Sequence, residues 1–199
     1  MIVVVEGISA ARRAWCREHA AGHVVEEQAP VPDAPDRRRD PEAAAQFWTD
    51  ENARRWRLAL ALEAESGLAV GDSDPLKPHY AFGLRRIGAL PERHWRLERD
   101  VARQAVGEGR VGFADLYLVK DIAPDMARAQ RDSDPDRTRR NFELHLRLGP
   151  SLIEWYRAIE AILPGRLCWT LPEMGVPAIE PRPRGDDSAL FDAVVDRLP

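Results

Sequence analysis

The stretch that decides the fold is MIVVVEGISAARRAWCREHA, residues 1–20. Its β-branched run from Ile2 to Val5 is typical of a strand that is buried on both faces. Gly7 follows, and the amphipathic segment from Arg12 to Ala21 predicts a helix. A buried strand, a glycine turn and the start of a helix are together the setting of a phosphate-binding loop.

The loop departs from the phosphate-loop pattern G-x-x-x-x-G-K-[ST] at three positions. Counted from Gly7, Arg12 stands in the place of the second glycine, Arg13 in that of the lysine, and Ala14 in that of the serine or threonine. Backbone amides at the start of a helix still favour an anion, and the two guanidinium groups could add bidentate partners for phosphate. The alternative is a plain strand-to-helix turn with exposed arginines, and spacing alone does not choose between the two.

Composition argues against several classes of protein. With 199 residues the chain is long enough for one domain with a full core, and its net charge of −4 argues against general binding to nucleic acid. The first apolar run is too short for a signal peptide, and no segment has the ~20 apolar residues that cross a bilayer. Cys16 and Cys168 fit neither a metal-ligand spacing nor a disulfide framework. A cytoplasmic protein without a membrane partner is therefore expected.

Four further strands are predicted, at His23–Val25, Leu68–Val70, Asp115–Lys120 and Arg166–Leu171. The helices predicted between and after them are Pro41–Ser66, two helices within residues 75–109, Pro124–Arg131, Phe142–Leu163 and Ser188–Leu198. This alternation predicts an α/β fold of three layers, a five-stranded and mostly parallel sheet with helices on both faces. The expected domain spans residues 1–171 with an arginine-rich lid at about 124–141, and residues 172–199 form a proline-rich tail and a C-terminal helix.

The helix at Pro41–Ser66 carries the clearest local signals. Asp40 is predicted to cap its N-terminus, with Pro41 at the first helical position, and Gly67 is predicted to end it. Its large apolar residues predict the buried stripe, which would comprise Phe47, Trp48, Trp56, Leu60 and Leu62.

Polar residues directly follow several of the predicted strands. Ligands bind beyond the carboxyl ends of the strands in parallel α/β sheets. These ends carry the Gly7 loop, Glu26–Glu27, Asp72–Asp74 and Lys120–Asp121. The sequence therefore predicts that these groups meet on one edge of the sheet.

Four segments carry a resemblance to a known family. In chain order they are IVVVEGISAARRAWC (2–16), LAVGDSDPLKPHYAFGLRRIG (68–88), ADLYLVKD (114–121) and RTRRNFELHLRLGPSLIEWYRAIEAILPGR (137–166). Together they resemble the P-loop nucleoside and nucleotide kinase-like proteins, especially small actinobacterial members described as AAA-family or kinase-like ATPases. The likeness extends to about Leu171 and rests on the order of the segments as well as on the motifs.

The resemblance implies a loop that cradles nucleotide phosphates, with a lysine on the β and γ phosphates and a hydroxyl on Mg²⁺. The phosphate-binding residues that it implies here are Gly7, Ser9, Ala10, Ala11, Arg12 and Arg13. The side chain of Arg12 would crowd the space that a glycine leaves, Ala14 cannot bind a metal, and Arg13 could still hold phosphate charge with a planar head. The sequence thus predicts no metal ligand, brings the use of ATP with Mg²⁺ into question, and leaves the cofactor unknown.

The segment GDSDP follows a predicted strand. In the resembled family the acid here binds substrate or acts as a base, which makes Asp72 a candidate catalytic residue. Asp74 is a candidate for substrate binding, although its place before Pro75 favours the capping of a helix. Lys77 and His79 lie one turn further on, and for both the alternatives are contact with a ligand or a role in packing or at the surface.

Glu27 and a group of arginines complete the candidate residues. The deoxynucleoside kinases carry a catalytic carboxylate near the place of Glu27, and a solvated loop residue is the alternative. The segment ARAQRDSDPDRTRRNFELH resembles a kinase lid, whose arginines close over phosphates. The arginines concerned are Arg128, Arg131, Arg137, Arg139 and Arg140. The alternative is an exposed break in a helix, where these arginines pair with the aspartates between them.

Two hypotheses of function follow. The first is a kinase-like enzyme with an altered phosphate loop, which binds a nucleotide or phosphorylated small molecule and acts by phosphoryl transfer or a repurposed reaction. Arg13 would replace the lysine, and Asp72 or Glu27 would be the general base. The second is a catalytically inactive pseudokinase that binds a nucleotide or a protein. The sequence identifies neither the substrate nor the oligomeric state, and a homodimer stays open.

Overall fold

The computed structural model describes residues 1–7, 11–27, 31–32, 34–132 and 142–199. The strands in this part of the chain are β1 (Ile2–Gly7), β2 (Val24–Val25), β3 (Ala69–Gly71), β4 (Leu116–Lys120) and β5 (Leu167–Cys168). The helices are α1 (Ala11–His19), α2 (Pro41–Ser66), α3 (Pro78–Arg86), α4 (Glu92–Gly107), α5 (Pro124–Asp132), α6 (Phe142–Ile162) and α7 (Ser188–Val195).

The five strands form one sheet in the order β2-β3-β1-β4-β5, and every neighbouring pair is parallel. In β1, Ile2 lies opposite Ala69 of β3, and Val3 lies opposite Leu116 of β4. The central place of β1 explains why its β-branched residues are all buried. The predicted α/β fold with a five-stranded sheet is confirmed.

Alternate residues of β1 face two separate hydrophobic clusters. Ile2 and Val4 belong to the larger cluster, to which the helices α2, α4, α6 and α7 contribute Trp56, Val106, Trp155 and Phe191. Val3 and Val5 belong to a smaller cluster with Trp15 and Cys16 of α1 and with Val176 and Ile179 of the C-terminal segment. The sheet is therefore covered on both faces, which gives three layers.

The carboxyl end of β1 is the point where the direction of the connections changes. The chain moves through α1 towards β2 at one edge of the sheet, whereas it moves the opposite way after β3 and after β4. Because parallel crossovers are right-handed, the two directions place their helices on opposite faces. A crevice opens at such a point, and ligands of open α/β sheets bind there.

Helix α2 begins and ends where the sequence predicts. The side chain of Asp40 accepts a hydrogen bond from the amide of Ala43 at 3.1 Å, and Gly67 ends the helix with a φ of 79°. The predicted stripe is wrong in part. Trp56 is buried, but Phe47, Trp48, Leu60 and Leu62 are only half-buried. Small residues such as Ala45 and Ala59 occupy the rest of the buried face, because they let the helix approach its neighbours closely.

The C-terminal segment packs against the rest of the fold. Trp15 donates a hydrogen bond from Nε1 to the carbonyl oxygen of Pro172 at 2.7 Å. Phe191 and Val194 of α7 are fully buried in the larger cluster. Residues 172–199 therefore contribute to the same core as the residues before them. None of the helices in the described residues is both long enough and apolar enough to cross a membrane.

Candidate functional site

The carboxyl ends of β1, β2 and β3 bring together ionised side chains from four parts of the chain. We call this group the carboxyl-edge cluster; it consists of the acids Glu6, Glu27, Asp72 and Asp74 and the cations Arg12, Arg13, Arg55 and Lys77. The predicted meeting of the Gly7 loop, Glu27 and the Asp72–Asp74 segment on one edge is thus observed. Six of the eight side chains were candidates from the sequence, and the structure adds Glu6 and Arg55.

Gly7 ends β1 in a conformation that only glycine adopts easily. Its φ is 134°, and a Cβ atom at this position would overlap the carbonyl oxygen of Lys120 in β4. The turn therefore has a strict requirement for glycine, as expected for a loop in which backbone groups lie close together. Ser9 and Ala10, two of the predicted phosphate-binding residues, lie outside the described residues. Ala11 is the first residue of α1.

Arg12 points into the cluster and is paired there with two carboxylates. Its Nη1 lies 2.9 Å from Oε1 of Glu6, and its Nη2 lies 3.0 Å from Oε2 of Glu27. Burial alone would lower the pKa of Arg12, but the attraction of Glu6 and Glu27 outweighs it and raises the pKa. Arg12 is thus neither the exposed arginine of a plain turn nor an unpaired phosphate ligand, because the protein's own acids already neutralise its charge.

Arg13 is the more accessible of the two arginines. About half of its side chain is exposed, and its Nε lies 3.5 Å from Oδ2 of Asp72. Ala14 is exposed on the same turn of α1 and presents no oxygen to a metal. At the start of α1, Arg13 therefore remains available to an anion from solvent.

Glu27 lies between Arg12 and Lys77. The Nζ of Lys77 donates to Oε1 of Glu27 at 2.5 Å, and the backbone amide of Glu27 donates to Oδ1 of Asp72. Burial would raise the pKa of Glu27, but Lys77 and Arg12 together lower it well below its usual range. Such a carboxylate is a weak proton acceptor at neutral pH, which weighs against Glu27 as the general base.

Asp72 is the acid that faces Arg13. It is buried, and its pKa is raised by burial, against the opposing attraction of Arg12. Its Oδ1 also lies 3.9 Å from Nη2 of Arg55. Of the two predicted bases, Asp72 is the one whose pKa is raised, which is the direction that favours acceptance of a proton.

Arg55 is a buried arginine that the sequence analysis did not identify. From the middle of α2, its Nη2 donates to the carbonyl oxygen of Ser73 at 2.9 Å and its Nε to that of Glu26 at 3.2 Å. It thereby ties the segments after β2 and β3 to α2. The signal in the sequence is weak: Arg55 lies four residues before Ala59, on the side of the helix where small residues are buried.

The prediction that Asp74 caps a helix is wrong. Helix α3 begins three residues later than that role requires, at Pro78, and Lys77 holds the N-cap position without a side-chain hydrogen bond. Instead Oδ1 of Asp74 accepts from the amide of Leu76 at 2.8 Å, and Oδ2 accepts from the hydroxyl of Tyr156 at 3.0 Å. Burial raises the pKa of Asp74 to about 7, with a further contribution from the charge of Glu6.

His79 is buried beside these acids and is neutral. Its ring packs against those of Trp155 and Tyr156, with centroids 5.9 and 6.0 Å apart. Burial lowers its pKa to about 4. The Nδ1 of His79 and the hydroxyl of Ser73 are buried, and neither has a hydrogen-bond partner among the described residues. The carboxyl edge therefore holds polar groups whose bonding capacity the described residues do not use.

The predicted lid is described only in part. Arg128 lies on α5, with Nη2 at 3.0 Å from Glu143 and Nη1 at 3.1 Å from Asp125. These acids differ from the aspartates that the sequence offered as partners. The side chain of Arg131 and the whole of Arg137, Arg139 and Arg140 lie outside the described residues, so their role over a ligand stays a prediction.

An aromatic contact anchors the chain between β2 and α2. The guanidinium carbon of Arg37 lies 5.2 Å from the ring centroids of both Trp48 and Tyr80, and its Nε donates to Glu98 at 2.8 Å. Tyr80 is one turn beyond Lys77, so this contact lies close to the carboxyl-edge cluster. Arg37 thereby connects the segment between β2 and α2 to the helices α2, α3 and α4.

A surface depression of about 600 Å³ lies elsewhere, between the starts of α2 and α4. It is lined by Pro41, Glu42, Arg93, His94, Arg96, Leu97 and Asp100, and none of these residues belongs to the carboxyl-edge cluster. The cluster is the better candidate site, because it combines shifted pKa values with convergent charges at the change in direction of the connections. Among the described residues, no group of three or more histidine, cysteine, aspartate or glutamate side chains is arranged to hold a metal ion.

Comparisons with known proteins identify no relative, so the function has to be argued from the geometry of the site. The chain matches neither the models of known protein families nor any curated protein. The fold and the site define a three-layer α/β protein with an ionic cluster at the carboxyl edge of its parallel sheet.

Proposed function

We propose that this protein is a kinase-like enzyme with an altered phosphate loop, which binds a nucleotide or another phosphorylated small molecule at the carboxyl-edge cluster. Arg13 holds the phosphate, and Asp72 accepts a proton from the reacting group in phosphoryl transfer or a repurposed reaction. The observation that carries this proposal is the pair itself: a half-exposed guanidinium 3.5 Å from a buried carboxylate, at the point where the connections change direction.

Arg13 combines two features that favour phosphate. It lies in the first turn of α1, where the helix dipole and the free backbone amides favour an anion, and no acidic residue occupies that turn. Its planar head can also bind two phosphate oxygens at once. A phosphate that approaches the start of α1 would therefore meet Arg13 first.

Asp72 suits the role of base better than Glu27 does. Burial raises the pKa of Asp72, whereas Lys77 and Arg12 lower that of Glu27. A carboxylate with a raised pKa accepts a proton more readily at neutral pH. In the proposed phosphoryl transfer the proton of an attacking hydroxyl passes to Asp72 while the hydroxyl oxygen bonds to phosphorus. The bond between phosphorus and the leaving oxygen breaks, and that oxygen departs with its electron pair as part of the leaving group.

The altered loop supports binding that does not depend on magnesium. Ala14 lacks the hydroxyl that would hold Mg²⁺ in an intact loop, and the cation at the preceding position is an arginine instead of a lysine. ATP is then one candidate ligand among phosphorylated compounds, bound through its phosphates alone.

A second candidate function is a nucleotide- or protein-binding module without catalysis. It is favoured by Arg12, which stands in the place of the second glycine and whose buried guanidinium is already paired with Glu6 and Glu27. A closed ion network of this kind stabilises a fold without any need for a ligand.

A thermal-shift screen distinguishes these functions. The compounds are nucleotides and phosphorylated metabolites, each with Mg²⁺ and with EDTA, and a ligand at a hundredfold excess over its Kd stabilises the native state by about 2.7 kcal/mol. The proposal expects a shift in EDTA, and slow turnover of the same compound that Asp72→Asn abolishes. A shift without turnover in the wild-type protein would support the binding module, and turnover that Asp72→Asn leaves unchanged would contradict Asp72 as the base. No shift with any phosphorylated compound would contradict the enzyme and leave the protein-binding module.

A loop reversion tests the use of ATP separately. The triple variant Arg12→Gly, Arg13→Lys, Ala14→Thr restores the residues of an intact phosphate loop. We expect it to bind ATP with Mg²⁺, in contrast to the wild-type protein, if the loop is degenerate but still folded as a phosphate loop. An equal response to Mg²⁺ in both proteins would contradict the proposed origin of the site.

A further inference from the structure

The carboxylate of Glu27 occupies a place that suits an anion from a ligand. One oxygen lies 2.5 Å from Nζ of Lys77 and the other 3.0 Å from Nη2 of Arg12. Two cations that each bond one oxygen of the same group form a typical site for a carboxylate or a phosphate. A third of the Glu27 side chain is exposed, so solvent reaches this place.

The ion pairs around Glu27 show which cations would lose a partner if its carboxylate moved away. Arg12 is paired with Glu6 as well as Glu27, whereas the ion pair of Lys77 in the described residues is with Glu27. Without Glu27, Lys77 would lose this ion pair and Arg12 would keep the one with Glu6. A buried charge without a partner is costly, so another anion would be favoured in the vacated place.

Glu27 is held less firmly than the two cations that it bridges. Arg12 lies within α1, and Lys77 precedes α3 directly. Glu27 follows β2, a strand of two residues at the edge of the sheet that pairs with β3 alone. Short edge elements open at a lower free energy than the core. The backbone of Glu27 is tied to Asp72 through its amide, so the part that can move away is its carboxylate side chain, which is a third exposed.

We propose that Glu27 is an internal anion, which occupies the subsite between Arg12 and Lys77 until an anionic group of the ligand displaces it. This inference rests on the proposed function, because the subsite adjoins the phosphate held by Arg13. The ligand then carries two anionic groups, as a diphosphate does, one at Arg13 and one between Arg12 and Lys77. Since the pKa of Glu27 is lowered, protonation near neutral pH does not release it, and the ligand must compete with it.

Titration calorimetry with inorganic pyrophosphate in EDTA at neutral pH tests this inference. The test variant is Glu27→Gln, which keeps the shape of the side chain and removes its charge. The matched control is Glu26→Gln, which removes the same charge from the exposed neighbouring residue. We expect Glu27→Gln to bind pyrophosphate at least about tenfold more tightly than wild type, and Glu26→Gln to stay within about twofold of it. Glu27→Ser is the second variant, with the same expected gain, should Glu27→Gln fail to fold.

The outcomes separate this inference from the proposed function. If wild type binds pyrophosphate through Arg13 but neither Glu27 variant binds it more tightly than Glu26→Gln, the internal anion is overturned and the proposed function stands. If the Glu27 variants gain affinity and Arg13→Gln leaves that gain unchanged, the subsite stands and the proposed role of Arg13 fails. No binding by any of these proteins overturns both.

Discussion

Both ends of the central strands carry buried carboxylates, but the two ends use them differently. At the amino end, Asp115 is fully buried and accepts hydrogen bonds from the backbone amides of Ile2 and Arg182, both at 2.7 Å, and from Arg184 at 2.8 Å. At the carboxyl end, Asp74 has a pKa raised to about 7, and nearby polar atoms of Ser73 and His79 have no partner in the part of the chain that the structure describes. The amino end is an anchor with matched partners, whereas the carboxyl end retains unused bonding capacity.

This difference teaches how to separate structural from functional ion pairs. Asp115 and its partners join β1 to the C-terminal segment, and each of its oxygens meets a donor. The carboxyl-edge cluster instead concentrates eight ionisable side chains where a parallel sheet usually binds its ligands. Shifted pKa values at the carboxyl edge of a parallel sheet are stronger evidence of a functional site than either feature alone.

The largest expected loss of stability comes from adding a side chain at Gly7, in the turn at the carboxyl end of β1. Gly7→Ala places a Cβ against the carbonyl of Lys120 and imposes a φ of 134° on alanine, so we expect a loss of more than about 3 kcal/mol in the free energy of unfolding. The matched control is Gly67→Ala, where φ is 79° and the space is open, and about 1 kcal/mol is expected. Urea unfolding measures both, and equal losses would contradict the described turn.

The next largest effect breaks the anchor at the amino end. Asp115→Ala leaves the buried amide of Ile2 and the partly buried amide of Arg182 without their acceptor, and a loss of about 3 kcal/mol is expected in urea unfolding. The folded fraction should still bind pyrophosphate with wild-type affinity. A small loss of stability, or a loss of affinity in the folded protein, would contradict the division between the two ends.

A third prediction sharpens the comparison through pH. Because the pKa of Asp74 is raised from 3.8 to about 7, the native state holds a proton that the unfolded state has lost between these values, so this residue makes stability fall as pH rises. Asp74→Asn mimics the protonated acid and removes that fall. The stability of the variant relative to wild type should therefore increase from pH 4 to pH 7, by up to about 1.4 kcal/mol per pH unit.

His79 provides the internal control for that measurement. Its pKa is lowered from 6.5 to about 4, so it makes stability rise with pH across the same window, opposite to Asp74. His79→Gln should thus give a stability difference from wild type that falls as pH rises from 4 to 6.5. Urea unfolding at several pH values measures both differences. If the difference from wild type changed in the same direction with pH for both variants, the assigned pKa shifts would be contradicted.

The smallest effect on stability is expected at Arg13. Its side chain is half-exposed and its contact with Asp72 is long at 3.5 Å, so Arg13→Gln should change the free energy of unfolding by less than about 0.5 kcal/mol. Arg12→Gln, in contrast, leaves Glu6 buried without its closest cation. We expect it to lower the free energy of unfolding by at least about 1–2 kcal/mol, the order expected for a broken buried pair. Equal costs in urea unfolding would contradict the different burial of the two arginines.

The sequence predicts the fold well where local signals act. The cap at Asp40 and the stop at Gly67 set the boundaries of α2 through residues close in sequence, and the structure confirms both. The continuous β-branched run of β1 likewise predicts a central strand. These signals succeed because they depend on backbone preferences and on period, which neighbouring residues determine.

The sequence predicts the candidate site less completely, because its pairing is long-range. Glu6 lies at the end of an apolar strand and Tyr156 lies within a long helix, so neither residue stands out in the sequence. In the structure Glu6 accepts a hydrogen bond from the amide of Asp74, and Tyr156 donates one to its carboxylate. The helix cap predicted for Asp74 failed since a favourable Asp-Pro pair was followed by a turn instead of a helix. Arg12 was expected at the surface or on a phosphate, whereas two acids distant in sequence bind it.

The central claim is that the start of α1 binds phosphate through Arg13 without a metal. Its most direct test is titration calorimetry of inorganic pyrophosphate in EDTA with wild type, Arg13→Gln and the matched control Arg17→Gln, which alters an exposed arginine one turn further along α1. We predict binding by wild type and Arg17→Gln, and at least about tenfold weaker binding by Arg13→Gln. Equal affinities in the two variants, or no binding by wild type, would contradict the account.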